Sequence, residues 1–113
     1  MAFGSDAPVT SPNPWPGIYG AVTRTTRSGA KVPPSQEDNQ VAAQQVSVEE
    51  ALKMYTGAGT WSEGTQEHKG SIETGKLADL VLLDKDPFAV EALALVDIRP
   101  VMTIIGGRVV WER

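Results

Sequence analysis

The sequence KGSIETGKLADLVLLD occupies residues 69–84 and contains the clearest strand signal of the chain. Its second half, residues 78–84, is a near-continuous apolar run, which is typical of a strand covered on both faces. Further on, VMTIIGGRVVW at residues 101–111 places Gly106 and Gly107 between two β-prone runs. Both positions of a two-residue hairpin turn need positive φ angles, so the glycine pair predicts a hairpin.

Upstream, PWPGIYGAVTRT at residues 14–25 predicts a first helix. Apolar residues fall at positions i, i+3, i+4 and i+7, which lie on one helix face: Trp15, Ile18, Tyr19 and Val22. Pro14 and Pro16 suit a first helical turn, where a missing N–H costs little. Gly17 and Gly20 weaken the prediction by up to about 1 kcal/mol each.

A second helix is predicted from Ser47-Val48-Glu49-Glu50. This is a capping box, in which the Ser47 hydroxyl accepts an unpaired helix N–H and Glu50 returns to the N–H of Ser47. The apolar face that follows consists of Val48, Ala51, Leu52 and Tyr55. Gly57 and Gly59 are expected to end this helix, with Trp61 in a following turn.

Between the two helices, residues 26–46 are polar, contain two adjacent prolines and show no period. We expect a long loop with a short helical turn near 36–44, and a second weak turn at 88–95. The predicted order is an apolar strand end at the start, a helix, a loop, a capped helix and a β-rich tail. The fold class is therefore α+β.

Composition limits the function. A chain of 113 residues has the size of one domain, and its net charge of −4 argues against nucleic-acid or anionic-membrane binding. It has no apolar run of the ~18 residues that span a bilayer, and its start lacks a signal-peptide pattern. Cysteine is absent, which excludes disulfides and thiolate metal sites. We expect a cytoplasmic protein.

Histidine is scarce as well, since His68 is the only one in the sequence. A catalytic zinc or iron site normally needs three or more protein ligands, several of them imidazoles. A carboxylate-only magnesium or calcium site, or a metal shared with other polypeptide, remains open. No DxDxDG-type loop supports the first of these.

The motifs together resemble the amidohydrolase superfamily. Residues 69–84 match its G-S-I-x-x-G-K-x-A-D-L-V-x-L-D segment, and Val101–Glu112 match its terminal V-x-T-I-x-G-G-R-V-V-x-E pattern. The opening Phe3–Pro8, followed by Pro14 and Trp15, is similar to the amidohydrolase 3 branch, which includes N-substituted formamide deformylases.

The resemblance implies a C-terminal fragment of a (β/α)8 barrel joined to the last strands of a small β-sandwich domain. Residues 1–66 would end the barrel, beginning with the end of its eighth strand over residues 1–6. Residues 67–113 would be the β-rich tail of the sandwich. Barrel active sites lie at the C-terminal ends of the strands, which is where this arrangement would put Asp6.

In the family, the Asp at the position of Asp6 contacts a divalent metal such as zinc and acts as general base and proton shuttle. A carboxylate suits both tasks. The His-x-His pair and the other ligands would lie upstream, so Asp6 is a ligand without a site, and we expect this chain to bind no metal by itself. From spacing alone, Asp6 is an Asx-turn residue before Pro8.

Other polar and aromatic residues have a functional and a structural interpretation. Arg24 could reach a substrate in a whole barrel, although a cation near a helix C-terminus is the simpler reading. His68 is expected at the surface. Asp79 and Asp84 are expected to cap the ends of a strand. The tryptophans are expected to be buried in the core or at an interface: Trp15, Trp61 and Trp111.

Three functional hypotheses remain. The leading one is a partial metal-dependent hydrolase of carbon–nitrogen bonds in amide-type small molecules, inactive alone. The second is a non-catalytic interaction or oligomerisation module derived from such an enzyme. The third is association with a separately encoded barrel half. Open strand edges lead us to expect a homo-oligomer.

Overall fold

The computed structural model describes residues 1–30 and 44–113, which form a mixed α/β arrangement. The helices are α1 (Trp15–Thr23), α2 (Val48–Tyr55) and α3 (Gly57–Glu63), followed by the 3-10 helix Ala92–Asp97. The strands are β1 (Leu80–Leu83), β2 (Pro100–Ile105) and β3 (Arg108–Glu112). The helical turn predicted near 36–44 falls almost entirely outside the described residues.

Helix α1 forms where the apolar period predicts it. Pro14 is its N-cap, and a proline in the first turn leaves no additional N–H unpaired. Trp15, Ile18 and Tyr19 are buried. The helix ends at Arg24, whose φ of 56° lies in the left-handed region and whose N–H donates to the carbonyl of Gly20.

Helix α2 begins with the predicted capping box. The Ser47 hydroxyl accepts from the Glu50 N–H at 3.1 Å, and the Glu50 carboxylate accepts from the Ser47 N–H at 2.8 Å. These two bonds pair donors that no helical carbonyl can reach.

The prediction for the residues after α2 is wrong. Gly57 starts a further helix, α3, and Trp61 lies within it with 74% of its surface exposed. The helices are separated only at Thr56, whose φ and ψ are −115° and −90°. Gly57 and Gly59 each lower helix propensity by about 1 kcal/mol, yet α3 forms, with its buried Thr60 packed against Gly70.

The sheet is antiparallel in the order β1-β2-β3. The predicted hairpin is confirmed, since Gly106 and Gly107 have φ angles of 56° and 78°. Asp79 accepts the Gly106 N–H at 2.8 Å, and Asp84 accepts the Arg99 N–H at 2.9 Å. Both carboxylates therefore cap the ends of β1, as predicted.

The core lies between the helices and the chain that precedes β2. Its buried members are Trp15, Ile18, Ala51, Leu95 and Ile98. The sheet lies at the edge of this core, so the expectation that residues 78–84 are covered on both faces is wrong. Val81 and Leu82 are 56% and 43% exposed. Trp111 is also 45% exposed, which leaves Trp15 as the buried tryptophan of the three.

Residues 1–13 form turns and extended chain without a strand, contrary to the predicted strand end at 1–6. A strand needs a neighbouring strand for its backbone groups, and here the Phe3 N–H donates to the Met54 carbonyl of α2 instead, at 2.9 Å. Across the described ranges, no helix has both the length and the apolar character needed to cross a membrane.

Candidate functional site

The segment that carries Asp6 is fixed to α2 by its neighbour Phe3. Besides the bond to Met54, the Phe3 ring meets the Tyr55 ring edge to face, with 5.5 Å between the ring centroids. Such an aromatic contact contributes about 0.5–1.5 kcal/mol beyond the area that it buries. The position of Asp6 therefore depends on α2 packing.

Asp6 has a φ of 54°, in the left-handed region where aspartate is more frequent than most residues. Its carbonyl accepts the Val9 N–H at 2.8 Å and closes the turn that contains the cis peptide bond Ala7–Pro8. The Asx-turn interpretation is thus not supported, because the backbone and not the side chain makes this bond. The carboxylate is exposed and has no hydrogen bond or ion pair to any described residue.

The described residues do not gather further donor atoms that could complete a metal site with Asp6. Within residues 1–30 and 44–113, no three His, Asp or Glu side chains come together. His68 is exposed and located elsewhere, in a turn where its N–H donates to Thr65 and its carbonyl accepts from Leu77. The described donor set does not fit a divalent metal.

Arg24 lies beside a cavity of about 440 Å³. The cavity is lined by Phe3, Gly4, Pro16, Gly17, Gly20, Ala21, Arg24, Thr25, Thr26 and Tyr55. One guanidinium nitrogen donates to the Gln44 side chain at 3.2 Å, while the buried Arg24 Nε has no partner in residues 1–30 and 44–113. An unpaired buried donor costs roughly 1–3 kcal/mol. Asp6 does not line this cavity, so the structure does not bring the two candidate residues together.

The sequence predicted only a packing role for Tyr55, on the apolar face of α2. Its hydroxyl lies against Gly17 of α1 at the wall of the cavity, and partial burial raises the pKa of the phenol. In the sequence, Tyr55 is identifiable only by its i+7 position on α2, which predicts a side chain that points inward. That helix packing brings the Tyr55 hydroxyl to the same cavity as Arg24 has no signature in the sequence.

Comparison with known proteins shows which family the chain belongs to. The sequence model of the Amidohydrolase family matches residues 1–111. The chain belongs to the amidohydrolase family. The resemblance of the strand, hairpin and opening motifs is thereby confirmed.

Curated relatives cover the whole chain. It is 32% identical over 113 residues to N-substituted formamide deformylase of Arthrobacter pascens, which is 100% of this chain and 19% of the relative. It is 33% identical over 112 residues to the putative amidohydrolase YtcJ of Bacillus subtilis, covering 99% and 20%. Protein LONG AFTER FAR-RED 3 of Arabidopsis thaliana is 32% identical over 111 residues, covering 96% and 17%.

The amidohydrolase chain therefore spans about a fifth of the length of these relatives. No solved structure matches it. Whatever the relatives do as whole proteins, most of their length has no counterpart in the sequence described here.

Proposed function

We propose that this chain is the C-terminal portion of a metal-dependent hydrolase that cleaves non-peptide, amide-type carbon–nitrogen bonds, and that it is inactive as an isolated chain. The family match over residues 1–111 is the observation that carries the proposal. The name of the Arthrobacter relative supports an amide-type substrate. In this proposal residues 1–66 end a (β/α)8 barrel and residues 67–113 belong to a composite sandwich domain.

Asp6 would be the metal ligand and general base of the complete enzyme. Its carboxylate is exposed and has no partner among described residues, so no competing interaction must break before it binds a ligand. The attachment of Phe3 to α2 limits where it can move. A carboxylate offers hard oxygen donors and can accept a proton from water.

The missing ligands would have to come from another stretch of polypeptide. The sequence holds one histidine and no cysteine, whereas catalytic zinc sites use three protein ligands with an open fourth position. Because the described donor set does not fit the metal alone, the contribution of the described residues is limited to one carboxylate and the frame that holds it.

Arg24 would contribute to substrate binding in the complete enzyme. Its Nε has no hydrogen-bond partner among the described residues, and the described lining of the cavity beside it contains no acidic residue. A substrate oxygen that reached this nitrogen would offset the cost of the buried donor.

A chimera tests this function. Residues 1–113 replace the matching segment of the Arthrobacter deformylase, and hydrolysis of an N-substituted formamide is measured with metal content. We expect an active, metal-containing chimera whose kcat falls by about 100-fold or more in Asp6→Asn, since a positioned general base contributes about 10²–10⁴. Glu91→Gln, an exposed carboxylate of the same charge, is the control. A folded Asp6→Asn chimera as active as Glu91→Gln would refute the role of Asp6.

A non-catalytic interaction module is the second candidate. It is favoured by the exposed apolar residues of the sheet, which include Val81, Leu82 and Val109. Exposed apolar surface on a sheet is a common feature of association sites. The chimera distinguishes the two candidates, because a module that has lost the enzyme frame would give a folded protein without hydrolysis.

A further inference from the structure

One edge of β1 is free, and the hydrogen-bond pattern shows which residues form it. The Arg113 N–H donates to the Val101 carbonyl at 3.1 Å, so the backbone N–H and C=O groups of Val101 point toward β3. The backbone N–H and C=O groups of successive residues in a strand point alternately toward its two neighbouring strands. Met102 therefore faces β1, where its partner is Leu82.

The same alternation fixes the outward groups of β1. Ala78 accepts the Gly107 N–H and Asp84 donates to Arg99, both at 3.0 Å, so the even-numbered residues face the rest of the sheet. The N–H and C=O groups of Val81 and Leu83 consequently point out of the sheet. No described residue makes a backbone bond to them.

An open apolar groove of about 720 Å³ runs beside this edge. Val81 and Leu83 line it, together with Trp15, Ile18 and Leu52 among other residues. The groove offers room for an additional strand whose side chains would pack beside Val81, which is 56% exposed.

We propose that the occupant is β1 of a second copy, paired antiparallel about a two-fold axis through Leu82 to give a six-stranded sheet. In this register Val81 lies opposite Leu83 of the other copy. Val81 and Leu83 of one copy then form four backbone hydrogen bonds with Leu83 and Val81 of the other. All N–H groups of these four residues are paired in this arrangement.

Charge complementarity supports this register. Asp79, just before β1, comes opposite Lys85 of the other copy, just after its β1, and the pair occurs twice by symmetry. Asp79 Oδ1 already accepts the Gly106 N–H, so the pair with Lys85 would use Oδ2. Lys85 makes no ion pair with a residue in the described ranges. Opposite charges in cross-strand positions stabilise pairing, and like charges weaken it.

The edge of β3 is less suitable for a second strand. The register between β2 and β3 shifts after Thr103, which leaves Val110 as an extra residue on β3. Such a bulge breaks the regular spacing of the outward groups and is a common protection of sheet edges. On the β1 side, the extra residue at the shift belongs to β2, so β1 itself stays regular.

A disulfide test measures the register directly, because the chain has no cysteine of its own. On the proposed axis, Leu82 faces its copy in a non-hydrogen-bonded pair, with the Cα atoms about 4.5 Å apart. Disulfides form over Cα separations of roughly 4.4–6.8 Å. Leu82→Cys should therefore oxidise to a disulfide-linked dimer at micromolar concentration.

Val109→Cys is the matched control, since Val109 is similarly exposed but lies on β3. It should stay largely uncrosslinked under the same oxidation. Equal crosslinking of the two variants, or none of Leu82→Cys, would overturn the proposal.

Light scattering gives an independent test. The wild-type chain should have twice the monomer mass, and Val81→Pro should have the monomer mass with unchanged circular dichroism. Proline there removes only an N–H that points out of the sheet, which is the kind of site where strands tolerate it. Val109→Pro, at the opposite edge, should remain dimeric. A monomeric wild type or a dimeric Val81→Pro would contradict the proposal, and if Val81→Pro unfolds, the disulfide test decides.

This dimer is independent of the proposed hydrolase. Its tests use the chain alone and measure mass and crosslinking. The chimera above measures catalysis, so either proposal can fail without the other.

Discussion

The hydroxyl of Tyr55 on α2 occupies the space beside Gly17 on α1 where any other residue would place its Cβ. Tyr55 also contacts the Phe3 ring on its other side. A single aromatic side chain thus links α1, α2 and the segment that carries Asp6. The absence of a side chain at Gly17 allows this contact.

Gly17→Ala is expected to destabilise the fold by about 1 kcal/mol. Overpacking against the Tyr55 ring costs roughly 1–3 kcal/mol, and only part of this is recovered from the higher helix propensity of alanine. Gly20→Ala is the control, because a Cβ at Gly20 meets nothing within 4 Å. It should stabilise by about 0.5–1 kcal/mol. Urea unfolding at one protein concentration measures both.

Removing the Tyr55 hydroxyl should relieve the clash. Gly17→Ala combined with Tyr55→Phe is expected to be more stable than Gly17→Ala alone, since the hydroxyl oxygen is the nearest atom to the added Cβ. If Gly17→Ala and Gly20→Ala shift the urea midpoint in the same direction, the contact of Gly17 with the Tyr55 hydroxyl does not determine which residues position 17 tolerates.

Gly70→Ala should be the more damaging of two matched substitutions in the residues before β1. Gly70 and Gly75 have φ angles of 98° and 94°, so alanine is strained at both, by roughly 1–2 kcal/mol. A Cβ at Gly70 would also lie 2.9 Å from Thr60 Cγ2 and 3.2 Å from the Gly57 Cα, whereas Gly75 is open. We expect losses of about 3 kcal/mol for Gly70→Ala and about 1–2 kcal/mol for Gly75→Ala. Equal losses would mean that only backbone strain matters.

Glu50 should make the stability of the chain depend on pH. The hydrogen bond from the Ser47 N–H, followed by that from its hydroxyl, holds the pKa of Glu50 below its ordinary value of 4.5. A lowered pKa in the folded state gives stability that is present above about 4.5 and is lost as pH falls through the folded-state pKa. The difference in urea midpoint between wild type and Glu50→Gln should therefore be larger at pH 7 than at pH 3.

Glu63 and Glu73 also have lowered pKa values, through hydrogen bonds with Lys69 and with Ser71 respectively. Their effect is common to both proteins and cancels in the difference. Ser47→Ala weakens the cap that Glu50 completes, so it should reduce the pH-dependent part as well. A wild-type to Glu50→Gln difference that is constant from pH 7 to pH 3 would be inconsistent with this cap.

The parts of the fold that the sequence predicted are those set by short-range chemistry. The capping box at Ser47 and Glu50 and the Gly106-Gly107 turn each depend on residues that are adjacent or one helical turn apart. Helix α3 was missed because its glycines lower local propensity, and its buried Thr60 contacts Gly70, which lies outside the helix and beyond the reach of a local pattern.

The sequence predicted individual residues of the candidate site but not how they lie relative to one another. The opening motif predicts Asp6 as a metal ligand, and this stays a prediction; its carboxylate has no partner among the described residues. The motif could not show that Arg24 lines a separate cavity with Tyr55, because that neighbourhood is created by packing between α1 and α2. The burial of the tryptophans was overestimated for a related reason, since apolar character alone does not say which surfaces find a partner.

The most direct test of the central claim is the zinc content of the purified chain. The chain is incubated with zinc, dialysed and analysed beside Asp6→Asn, and hydrolysis of an N-substituted formamide is assayed on the same samples. We predict far less than one zinc per chain, no difference between the two proteins and no hydrolysis, because one carboxylate cannot hold the ion. One tightly held zinc per chain that Asp6→Asn loses, together with hydrolysis by the wild-type chain alone, would contradict the account.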